Sequence, residues 1–97
     1  MATGLAFIED WYAAHCDGDW EHDERIRIGT LDNPGWRVWI NLRDTELEGR
    51  VVSRSRVDVS PTDWLDYHAD GDVFYAACGY RGLGRALAAF RAFAVAT

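Results

Sequence analysis

The stretch CDGDWEHDE, Cys16 to Glu24, sets five carboxylates, a tryptophan, a histidine and a cysteine within nine residues. Carboxylates at alternate positions suit a divalent cation, which takes several oxygen ligands. The calcium-loop template wants Gly after the third ligand and an acid at the twelfth position. Those places hold His22 and Ile28, so the template fails. Zinc needs short-spaced Cys and His pairs; His15, Cys16 and His22 have no second pair to match them. A thiolate needs an adjacent base; Cys16 with His22, or Cys78 with His68, can be imagined as such a pair, but nothing in the sequence brings either together. Cys16 sits at the end of a helical pattern, where the dipole raises a thiol pKa. No catalytic residue, no metal site and no cofactor are therefore assigned. A docking surface for a basic partner and a solvated loop remain.

A second stretch, CGYRGLGRAL, Cys78 to Leu87, places a Gly-rich turn between a strand and a helix, an arrangement that can hold pyrophosphate on backbone N–H groups. It resembles the coenzyme-A loop of the Gcn5-related acetyltransferases. That family continues with further strands after the helix, whereas this chain stops thirteen residues after Gly84. A small acyl-CoA-dependent transferase using Gly79 to Gly84 is thus an alternative, with a flexible helix entry as the plain reading.

The elements that must position these residues follow from periodicity. Leu5, Ile8, Trp11 and Tyr12 recur at helical spacing, so residues 4 to 15 read as an amphipathic helix, with Thr3 as its N-cap. Glu24 to Thr30 alternates, as does Trp36 to Arg43, and LDNPGW between them is a dense turn signal that makes a hairpin. Arg50 to Val59 alternates with Val57 and Val59 inward and Arg54 and Arg56 outward. Trp64 to Ala69 and Asp72 to Cys78 flank Asp70-Gly71, a hairpin connection, with Leu65, Tyr67, Phe74 and Ala76 on the core side. Leu83, Leu87, Phe90 and Ala94 mark a closing helix. The order αβββββα predicts an α+β fold: a single antiparallel five-stranded sheet with the N-terminal and C-terminal helices packed on one face.

These parities put Arg25, Arg27, Arg37, Arg43, Arg54 and Arg56 on the sheet's outer face with Trp39. That face reads either as a small-molecule or peptide binding module, such as a self-resistance protein would use, or as Arg rows neutralised by Asp44, Glu46, Glu48 and Asp58. The 97 residues make one domain, 1–97, with 48% apolar content and a net charge of −6. Such a charge disfavours nucleic acid and anionic membranes and favours basic partners. The first ten residues carry neither a basic start nor a sustained apolar run, so a cytoplasmic protein is expected. Cys16 and Cys78 are too few for a disulfide framework.

Together, WYAAHCDGDWEH, IRIGTLDNPGW, INLRDTELEGR, Asp63-Trp64 and LGRALAAF resemble the immunity protein 53 family of bacterial polymorphic-toxin systems. The similarity spans nearly the whole chain and is most specific at Cys16 to His22 and Thr30 to Trp36. It departs from the family pattern in the Arg-rich third strand and in GYRGLG. It implies a small cytoplasmic, non-enzymatic bacterial protein that neutralises a cognate toxin by binding it, and it supplies no catalytic residue. The shared positions are Trp11, Tyr12, Cys16 to His22 and Thr30 to Trp36. Gly18, Pro34 and Gly35 are simplest as turn formers, Trp11 and Trp36 as core, and Asp32 as a cap of its own turn. The acidic helix-to-strand loop and the LDNPGW turn supply the toxin-binding set: Asp17, Asp19, Trp20, Glu21, His22, Asp23, Asp32 and Asn33. Trp20 is expected as the exposed anchor, the toxin surface as basic, and a homodimer is left open.

Overall fold

The computed structural model describes residues 4–96. Helix α1 (Gly4–His15) leads through a short 3-10 turn (Trp20–His22) into β1 (Ile26–Leu31), followed by β2 (Gly35–Asn41), β3 (Val51–Ser60), β4 (Asp63–Asp70), β5 (Val73–Cys78) and helix α2 (Leu83–Val95). Every pairing is antiparallel and the strand order is β1-β2-β5-β4-β3. The expected α+β fold, helix first and last around one five-stranded sheet, is what forms. The expected cap Thr3 lies outside the described residues.

Three hairpins build the sheet. The β4–β5 turn is set by Asp70, whose Oδ1 accepts the N–H groups of Asp72 and Val73, both at 2.9 Å, and by Gly71 at φ 97°, a region that side chains disfavour. At the β1–β2 turn, Gly35 is required for another reason: a Cβ there would collide with the Cys78 carbonyl on the neighbouring strand. Because β5 inserts between β2 and β4, residues 42–50 must carry the chain from the end of β2 across to the β3 edge. That link is pinned by Leu42 and Leu47, both fully buried, and by hydrogen bonds from Leu42 N–H to Asp72 O and from Gly49 N–H to Gly71 O.

Both helices cover one face. Phe90 of α2 is the hub: fully buried, it meets Trp11 and Phe74 edge-on at 5.2 and 5.3 Å and lies 6.1 Å from Phe7 and Phe93. Gly4 allows the close approach of the helices, since a Cβ there would meet Leu87 and Ala88 at 2.6 Å. The apolar stripe of α1 is narrower than its sequence pattern: Ile8 and Trp11 are buried, whereas Leu5 and Tyr12 are exposed.

The helix layer lies over β2, β4 and β5 and stops short of β3. Val57 therefore pairs with Leu65 on the core side, as its alternation predicts, yet it remains 55% exposed and Val59 67% exposed. The parity was legible, but the extent of the covering layer was not. Truncating Phe90 to Ala is expected to lower unfolding free energy by about 3–5 kcal/mol, while Val59→Ser changes it by less than about 0.5 kcal/mol. Urea denaturation of the two variants measures this difference.

Candidate functional site

The acidic loop is a folded object before any partner arrives. Asp17 Oδ1 accepts the N–H groups of Asp19 and Trp20 at 3.0 and 2.9 Å, and the Glu21 carboxylate reaches back to those of Asp17 and Gly18 at 2.9 and 2.8 Å. Gly18, at φ 97°, permits the tight reversal. Two of the five carboxylates are therefore occupied in holding backbone. The Trp20 and Asp19 amides draw the Asp17 carboxyl below its ordinary value of 3.8, and Glu21 is lowered by its own amide and that of Asp17. Among the described residues, no group of three or more His, Cys, Asp or Glu side chains is arranged to hold a metal ion.

Trp20 is not the exposed anchor that its sequence context suggests. It is buried, 5.8 Å from Trp11 and 5.6 Å from Tyr12, with His15 at 5.2 Å. The loop folds it back onto α1, extending the core beyond the sheet. Its Nε1 has no hydrogen-bond partner among the described residues. Arg25 is likewise misplaced by alternation alone. It precedes β1, where the chain is still turning, so it is not on the outer face but beneath the loop, with its side chain 3% exposed. Its guanidinium donates from Nε to Trp20 O at 2.7 Å and from Nη1 to Arg43 O at 2.9 Å, and it stacks 4.7 Å from the Trp20 ring. Asp23 and Asp44 stand 3.6 and 3.9 Å from its Nη2.

Arg25 thus joins the acidic loop to the link 42–50. Glu46 makes a second join, taking His15 Nε2 at 2.7 Å and Trp11 Nε1 at 3.4 Å. With the β4–β5 turn alongside, three loops share one end of the molecule. They carry ten of the sixteen acids and three Arg, namely Arg25, Arg43 and Arg50. Both helices direct their C termini to this pole. Arg50 Nη1 caps α2 by donating to Phe93 O and Ala96 O, each at 2.9 Å, so the unbalanced negative charge resides in the carboxylates. A shallow cavity of about 500 Å³ opens here among Asp17, Asp19, His22, Asp23 and Asp44.

Asp32 and Asn33 are elsewhere. They cap the far end of β1, whose six residues span roughly 20 Å at about 3.3 Å per residue. The expected toxin-binding set is split: Asp17, Asp19, Glu21, His22 and Asp23 gather at the acidic pole, Trp20 is beneath them, and the exposed Asp32–Asn33 turn is at the opposite end. Asp44, Asp70 and Asp72 join the pole instead. No local pattern marks them, because strand order alone brings their loops together.

The other chemical candidates dissolve into packing. Cys78 and His68 occupy opposite faces of the sheet, and burial pushes the Cys78 thiol up. Cys16 Sγ donates to Tyr12 O. In the Gly-rich stretch, a Cβ on Gly79 would strike Thr62 O, and one on Gly82 would lie 2.9 Å from Cys78 Cβ, so both are small because neighbouring chain runs against them.

The fold and the pole define a small two-layer α+β domain that presents one strongly acidic, preformed end. A family model described as immunity protein 53 matches residues 5–95, and the chain belongs to that family. Membership carries an immunity role, with a toxin as its counterpart. No match is found among curated proteins or among solved structures.

Removing the Arg25 side chain strands two carbonyls and unseats Trp20, so Arg25→Ala is expected to cost about 2–4 kcal/mol, measured by chemical denaturation. For Asp17, a lowered folded pKa contributes stability that is present above the ordinary value of 3.8 and lost as pH falls through the depressed one. Asp17→Asn keeps an oxygen acceptor without the titration. Its fall in melting temperature between pH 6 and pH 3 should be smaller than that of the wild type, and an equal fall would contradict this role.

Proposed function

We propose that the protein neutralises a cognate toxin by binding it, non-enzymatically, and that the acidic pole docks on a basic surface of that toxin and occludes it. The observation that carries this reading is the concentration of ten of sixteen acids on three loops already tied together by Arg25 and Glu46. Preorganised charge speeds encounter with an oppositely charged surface and loses little entropy on docking.

Within the pole the roles divide. Asp19, His22 and Asp23 are exposed, and Asp44 adds a further exposed carboxylate; these are the contact residues. Asp17 and Glu21 hold the loop in shape, so their substitution would mix loss of charge with loss of structure. Asp44 adopts φ 62°, a left-handed conformation that Asn also tolerates.

The clean test is the triple variant Asp19→Asn, Asp23→Asn, Asp44→Asn, measured by surface plasmon resonance against the cognate toxin domain, sought in the open reading frames that flank the gene. The expected result is at least about tenfold weaker binding, mainly through slower association and with a flatter salt dependence, at a melting temperature close to that of the wild type. Unchanged affinity in a folded triple variant would remove the pole as the docking site.

A further inference from the structure

The sheet face opposite the helices carries an open groove of about 700 Å³ that crosses all five strands from Arg27 on β1 to Arg54 on β3. Four inter-strand spacings of about 4.8 Å make it roughly 19 Å long. Its floor is low because Gly29 and Ala77 contribute almost no side chain, and the Arg37 stem lies across Gly29, with Nε 3.4 Å from where a Cβ would be. Half-buried rings line the middle: Trp39, and His68 stacked on Tyr75 at 4.8 Å.

The charges along this groove are not equivalent. Arg54 and Arg56 converge on Asp66, with Arg54 Nη2 at 2.5 Å and Arg56 Nη1 at 3.2 Å, and Asp58 takes the rest of Arg56. Arg56 also covers the Trp64 ring at 4.8 Å. That end is a closed network in which only Asp58, of the acids first set against the Arg rows, takes part. At the other end, Arg27 gives Nε to Glu24 and lies 5.7 Å from the Trp39 ring. The Arg37 side chain has no hydrogen-bond or ion-pair partner among the described residues. An exposed guanidinium fork beside Trp39, on a groove with an apolar middle, matches a carboxylate next to an aromatic or aliphatic side chain.

We propose that this groove is a second docking site, which takes an extended acidic segment of the same protein partner, with an Asp or Glu on Arg37 and a neighbouring apolar side chain against Trp39 and Tyr75. The proposal rests on the reading that the partner is a protein toxin. A groove of this length holds five or six extended residues at about 3.3 Å each. A peptide with one or two carboxylates suits the site better than a polyphosphate, whose charge at every unit would be repelled by the net −6 of the chain and by Asp66 in the groove itself.

Arg37→Glu tests the site without threatening the fold, because the side chain is exposed and unpartnered. Binding of the same cognate toxin domain is compared for wild type, Arg37→Glu, Arg37→Lys and the triple Asn variant of the pole, with melting temperatures as the folding control. The expected result is at least about tenfold weaker binding for Arg37→Glu, through faster dissociation, with Arg37→Lys intermediate. Wild-type affinity in Arg37→Glu together with weakened binding in the triple variant would overturn the groove and leave the pole standing. Wild-type affinity in both would overturn both. Binding of a ten-residue oligothymidylate that Arg37→Glu abolishes would overturn the peptide assignment in favour of single-stranded nucleic acid.

Discussion

The buried Arg25 guanidinium is the constraint on which the acidic end of the molecule depends. An Arg placed out of water needs its donors matched, and here the matches are backbone carbonyls from two different loops, Trp20 O and Arg43 O, with an indole face against the charge. Satisfying one side chain therefore fixes the distance between the acidic loop and the link 42–50. Exposed Asp23 and Asp44 then gather above that same charge. The pole is dense in carboxylates yet tolerable, because a cation lies under it and four of its acids, Asp17, Glu21, Glu48 and Asp70, are turned to backbone amides.

The rest of the molecule serves this arrangement through topology. Insertion of β5 between β2 and β4 forces the link to cross the bottom of the sheet, and the link delivers Asp44 and Glu46 to the loop that follows α1. Glu46 then clamps the last turn of α1 through Trp11 and His15. The helices, packed through Phe90, hold the far side. The acidic pole is consequently a set of loops attached to rigid elements at several points, and the charge pattern is carried by the fold.

How much was legible beforehand differs by element. Alternation and turn chemistry placed the five strands and two helices, because period-two and period-3.6 patterns report directly on one-sided burial. The family membership was legible in the motif residues around Cys16 to His22 and Thr30 to Trp36, and the match over residues 5–95 agrees. The side-chain fates were harder. Trp20 looked exposed because it is surrounded by acids, yet its neighbours are held outward by hydrogen bonds to backbone while it turns in. Arg25 fits an outer-face pattern only if alternation is carried one position past the true start of β1 at Ile26. The acidic loop and the LDNPGW turn do not form one patch, for a plainer reason: a hairpin's turn and the segment before its first strand necessarily lie at opposite ends of that strand.

The most direct test is hydrogen–deuterium exchange of the protein alone and saturated with its cognate toxin domain. New protection is expected at residues 17–25 and 42–48, where the loops joined by Arg25 and Glu46 would be covered. Unchanged exchange in both segments, with protection confined to the β1–β2 turn and to residues 79–82 at the opposite end, would contradict it.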